Sequence, residues 1–125
     1  MKQQVLNVPV EIFNRGVLVF LGSQEQLKNY VRQKYPEYED DVEEELSGGS
    51  AYTIKLKDDA IIFAESIIPE SEMVHEIVHA AIHLLSLVEV QDKEGNINEE
   101  ALCYLVEYLA RKILPWLTSI SCESR

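Results

Sequence analysis

The sequence predicts an α+β fold: a small mixed or antiparallel sheet packed on three helices. Three observations carry that expectation. Residues 17–21, 51–56 and 60–64 are short β-branched and aromatic runs bounded by turn-forming residues, as strands are. Three longer segments repeat apolar residues every three or four positions, as one-sided helices do. The chain has 125 residues, 46% of them hydrophobic, enough for one domain over residues 1–125 that needs no disulfide staple.

The elements follow in order. Val17-Leu18-Val19-Phe20-Leu21 is a strand ended by Gly22, with a turn at Asn14-Arg15-Gly16 before it. Residues 8–13 are a candidate partner strand, which Pro9 would confine to an edge. Ser23 opens a helix, and Gln26 three residues on completes a capping box. Leu27, Tyr30 and Val31 supply its buried stripe. It should stop near Tyr35, because Pro36 disfavours helical geometry in the residue before it. Residues 37–45 are strongly acidic and read as a solvated loop or frayed helix. Ser47-Gly48-Gly49-Ser50 is a flexible break, too short to join two domains.

Residues 51–56 and 60–64 flank Lys57-Asp58-Asp59 and suggest a hairpin. Pro69 then suits the first turn of a helix, and Glu70 and Glu72 suit the positive end of its dipole. Val74, Ile77, Val78, Ala81, Leu84, Leu85 and Val88 form its apolar stripe. A polar loop spans 91–98. A last helix follows over 98–114, capped by Asn96 or Asn98 and buried through Leu102, Leu105, Val106, Leu109 and Ile113. Pro115 should end or bend it, leaving 116–125 as a tail with weak signals.

Charge excludes one class of partner. A net charge of −11 argues against nucleic-acid binding through phosphates, which needs a basic face. A basic partner is compatible with it, and so is simple solubility. Cys103 and Cys122 show no C-x-x-C spacing and read as reduced thiols. The first ten residues lack the apolar core of a signal peptide, and no run approaches the ~20 apolar residues of a membrane span. The expected setting is cytoplasmic, with no membrane partner. The oligomeric state is not readable.

The chemistry concentrates in His75-Glu76-Ile77-Val78-His79, an H-E-x-x-H motif inside the third helix. Histidines four apart lie one turn above each other, so both rings can reach one cation. Glu76 between them can address a water on that cation as general base. Both histidines flank the apolar stripe, so a metal would sit at the rim of the core, open to a cleft. A catalytic zinc takes three protein ligands and keeps a position for water. His83 is not the third, because eight helical residues from His75 span about 12 Å against Zn–N bonds of about 2 Å. The pattern with a glycine and a third histidine beyond the motif also fails, since Ile82 and Leu85 stand there. The remaining route is an acid opening the last helix, Glu99 or Glu100, and periodicity does not choose between them. Both also suit a helix N-terminus without any metal.

His75-Glu76-x-x-His79-Ala80, followed after a loop by Glu100-Ala101-Leu102-Cys103-Tyr104-Leu105, resembles the small zinc peptidases of phages and prophages. These carry H-E-x-x-H-A and then a helix with an E-A-x-A-Y-L-like pattern. More distantly the chain is similar to the gluzincin class, including the peptidase domains that cleave phage repressors. The resemblance covers residues 60–115. It implies a zincin-like minimal metalloprotease core of phage or prophage origin, with Glu100 as the third zinc ligand. Cys103 stands where that pattern has a small residue.

The expected function is therefore zinc-dependent hydrolysis of a peptide or protein substrate, with Zn²⁺ on His75, His79 and Glu100. Zinc lowers the pKa of a bound water, and Glu76 takes its proton and returns it to the leaving amine. Tyr104, Tyr52 and His83 are candidates by type for the oxyanion helper. The strand at 60–65 is expected to border the cleft as an edge to which an extended peptide adds. Two other readings stand beside it: a metal-binding protein without turnover, which uses the same ligands, and an acidic interaction protein, such as an inhibitor or nucleic-acid mimic, which the net charge of −11 motivates.

Overall fold

The computed structural model describes residues 2–46, 50–88, 94–96 and 98–123. It is a mixed α+β fold. Strands β1 (Gln4–Val10), β2 (Arg15–Leu21), β3 (Ala51–Lys55) and β4 (Ala60–Ala64) form one sheet in the order β1-β2-β4-β3. β1 is antiparallel to β2, β2 is parallel to β4, and β3 is antiparallel to β4. The helices among the described residues are α1 (Gln24–Lys34), α2 (Glu39–Glu45), α3 (Glu70–Leu87) and α4 (Glu99–Glu123).

Strand periodicity sorts the core into two layers. Val17, Val19 and Leu21 of β2, with Ala60, Ile62 and Ala64 of β4, pack against α3 and α4. The alternate residues Leu18, Phe20, Ile61 and Phe63 pack against Leu27 and Val31 of α1 and Val42 of α2. Both faces of the parallel pair are covered, which explains why β4 is apolar at every position and buried at every position.

The capping box forms as the spacing demands. Gln26 N–H donates to Ser23 Oγ at 3.1 Å, and Ser23 N–H donates to Gln26 Oε1 at 2.8 Å. At the start of α4, Asn98 is the cap, its Oδ1 accepting from Ala101 N–H at 3.0 Å. The 51–64 hairpin forms with Lys55 opposite Ala60.

Four expectations are corrected. The partner of β2 begins earlier and ends earlier than 8–13, at Gln4–Val10, and Glu11–Phe13 is a 3-10 turn closed by Asn14 at φ 53°. Pro9 does lie on an edge strand, opposite Gly16. The acidic stretch contains a fourth helix, α2, because Val42 is buried under α1 and the acids of its first turn face the positive helix end. Strand β4 is central and β3 is an edge, so the peptide-accepting edge expected at 60–65 is removed.

Pro115 neither ends α4 nor leaves a tail: the helix runs through it to Glu123. Leu117 and Ile120 extend the buried stripe of Leu105, Leu109 and Ile113. Burying two such side chains is worth roughly 3–6 kcal/mol, against about 3 kcal/mol for a proline inside a helix. Pro115 lies on the exposed face, where water can satisfy the carbonyl it leaves unpaired. The glycine-rich break at 47–49 and most of the loop at 91–98 lie outside the described residues.

Candidate functional site

Helix α3 lies along β3 and β4, and two side chains fasten it there. His83 donates from Nε2 to the Leu56 carbonyl at 2.7 Å. Thr53 on β3 meets Glu76, its Oγ1 lying 2.8 Å from Glu76 Oε1 and 3.1 Å from the Glu76 carbonyl oxygen. The register of α3 on the sheet is thus fixed on either side of His79.

That register turns His75 and His79 outward and Glu76 inward. The histidines are exposed, while Glu76 is 8% exposed. The two Nε2 atoms lie 3.2 Å apart, with ring planes at 77°. Two nitrogens bound to one tetrahedral zinc at 2.0–2.1 Å must lie about 3.3 Å from each other. The pair therefore has the spacing a single cation needs. Without a cation the same approach has one ring donating its Nε2–H to the other, which requires opposite tautomers.

Beside the pair is a pocket of about 400 Å³ lined by Ser50, Ala51, Ser71, Glu72, His75 and Glu76. It opens where β3 begins and α3 makes its first turns. Glu76 reaches this pocket from the buried side, its Oε1 held by Thr53. The single Thr53 hydroxyl proton faces two acceptors, so it serves the ionised carboxylate or the backbone carbonyl by a small rotation.

Thr53 is the site residue that sequence reasoning missed. Its signal was present: alternation within 51–56 places Ala51 and Thr53 on one face and Tyr52 and Ile54 on the other. What the pattern lacked was which face α3 would cover. Tyr52, a candidate oxyanion helper, belongs to the opposite layer, 5.4 Å from Phe63 between ring centroids. His83 is spent on Leu56, and Tyr104 is exposed on α4.

Glu99 and Glu100 are both exposed in the first turn of α4. Among the described residues, no group of three or more His, Cys, Asp or Glu side chains is arranged to hold a metal ion. The structure thus brings His75 and His79 together, and Glu76 shares the pocket beside them with His75. The histidine pair has the nitrogen spacing that a divalent cation fits. No helix among the described residues is long and apolar enough to cross a membrane. No family model, curated protein or solved structure matches the chain.

Proposed function

We propose that the chain is a zinc-dependent metallopeptidase with a zincin-like core. One observation carries the reading: two imidazole nitrogens 3.2 Å apart, on a helix whose intervening glutamate reaches a pocket beside them. In this reading His75 and His79 hold the ion, and Glu100 is the third ligand, with Glu99 as the alternative. A bound zinc would supply a water of lowered pKa and polarise the scissile carbonyl.

The remaining roles belong to the chain itself. Glu76 is the general base, accepting the proton on its carboxylate and passing it to the leaving amine. Thr53 is a positioning residue: by holding Oε1 it commits the other carboxylate oxygen to the proton. β3 pairs with β4 alone among the described strands, so it is an edge of the sheet next to the pocket. An extended peptide substrate pairs there by strand addition.

Cleavage of extended peptides, assayed with and without a chelator, tests the reading. Chelator-sensitive hydrolysis is expected, and its absence from zinc-loaded protein overturns the peptidase assignment. A second reading, a metal-binding protein without turnover, is favoured by the exposed histidine pair lacking a third donor among the described residues. It predicts zinc binding with no hydrolysis.

A further inference from the structure

The opposite end of the sheet holds a second pocket, of about 440 Å³. It lies where β2 and β4 begin, in the α1 layer, so the sheet separates it from the histidine pair. Pro9, Leu18, Val31, Tyr35, Tyr38 and Ile61 give it apolar walls. Its size is within the usual range for small-molecule sites, which are mostly apolar with a few fixed polar groups.

The polar groups here are fixed by one another. Asp59 accepts from Gly16 N–H at 2.8 Å through Oδ1 and from the Tyr38 hydroxyl at 3.0 Å through Oδ2. Both of its oxygens are thereby engaged with protein. Arg15, also on the lining, gives Nη1 to Asp58 at 3.2 Å. Its Nε is different: among the described residues it is the buried side-chain nitrogen or oxygen with no hydrogen-bond partner. A buried donor left unpaired is costly, so an acceptor belongs there. The guanidinium is planar and presents Nε–H and an Nη group along one edge. With Nη1 on Asp58, Nε–H is the donor left without a partner on a residue that lines the pocket.

Charge then narrows the acceptor. Arg15 is balanced by Asp58, whereas Asp59 and Glu11 on the lining have no cation of their own in the pocket wall. An incoming carboxylate meets net negative charge in a chain that is already at −11. An ammonium group suits the acids but leaves the Arg15 donor unmet. A neutral carbonyl satisfies the donor without repulsion. We propose that this pocket binds a small neutral molecule with a flat apolar body and one carbonyl-type acceptor, received by Arg15.

The test is an NMR titration of the full chain with three matched probes: 3-phenylpropanamide, 3-phenylpropanoate and 3-phenylpropylamine. The amide should give saturable shifts at Gly16, Val31 and Tyr35 and bind more tightly than the acid or the amine. Arg15→Met should weaken amide binding by about tenfold or more, as expected for a hydrogen bond from a charged donor. Asn7→Trp, a change at an exposed edge-strand position on the pocket lining, should block the pocket while leaving Arg15 in place. Unchanged His75 and His79 resonances will show that each variant is folded. The proposal is overturned if the amide gives no saturable shift at millimolar concentration. Tighter binding of the acid or amine, or unaltered amide affinity in the folded variants, overturns it equally.

Discussion

The two ends of the sheet are built by different means. Beside the start of β3, the candidate metal site takes its nitrogens from one turn of one helix, and they are exposed. Beside the start of β2, the second pocket draws on β1, the 3-10 turn after it, α1 and the hairpin, and Asp59 ties Gly16 N–H to the Tyr38 hydroxyl there. Helical geometry fixes the approach of His75 and His79 before any packing occurs. The other pocket exists only once β2 and β4 pair in parallel. The first is therefore a local property of five residues and the second a property of the whole topology. Substitutions at the first end should change chemistry with little loss of stability, and those that remove the Asp59 hydrogen bonds at the second should lower stability with zinc binding intact.

The largest expected effect is at the histidine end. Glu76→Gln should keep zinc bound and lower hydrolysis by about 10²-fold or more, the usual contribution of a general base. Full activity in that variant, measured beside its zinc content, removes Glu76 from the mechanism. Thr53→Val should lower kcat by about tenfold with zinc content unchanged, from loss of one hydrogen bond to a charged group. Thr53→Ser should restore it, since serine supplies the same hydroxyl; a serine variant no better than valine would mean that Thr53 acts only through packing.

At the other end, Asp59→Ala strips the acceptor from both Gly16 N–H and the Tyr38 hydroxyl. Urea unfolding should show a loss of about 2 kcal/mol with zinc binding intact. A smaller effect is expected from Tyr38→Phe, about 1 kcal/mol. Burial, and then the hydrogen bond to Asp59, hold the Tyr38 hydroxyl well above the ordinary tyrosine range. The unfolded chain therefore loses this proton first, as pH rises past about 10. Stability from Tyr38 is fully present below that pH and declines above it. Phenylalanine at this position should flatten the alkaline limb of a stability-against-pH curve; an unchanged limb would show that the Tyr38–Asp59 bond contributes nothing to it.

The same contrast explains what the sequence made legible. Ser23 and Gln26, His75 and His79, and the 51–64 hairpin all rest on contacts within a few residues, and each is where spacing puts it. The errors fall where a distant partner decides. β4 was expected at an edge, and only its pairing with β2 makes it central. Val42 draws an acidic segment into a helix because α1 is there to cover it. Leu117 and Ile120 carry α4 past Pro115 because the core continues beneath them. Thr53 was unremarkable until α3 was laid over β3. Glu100 stands apart from both groups: its distance in sequence from His79 suits a ligand, and it is exposed in the first turn of α4.

The most direct measurement is zinc stoichiometry of the purified chain, wild type beside His79→Ala. The account predicts close to one zinc per chain in the wild type and none in the variant, with both proteins folded. Equal zinc in the two, or none in either after loading, would contradict the claim that these two imidazoles grip a metal ion.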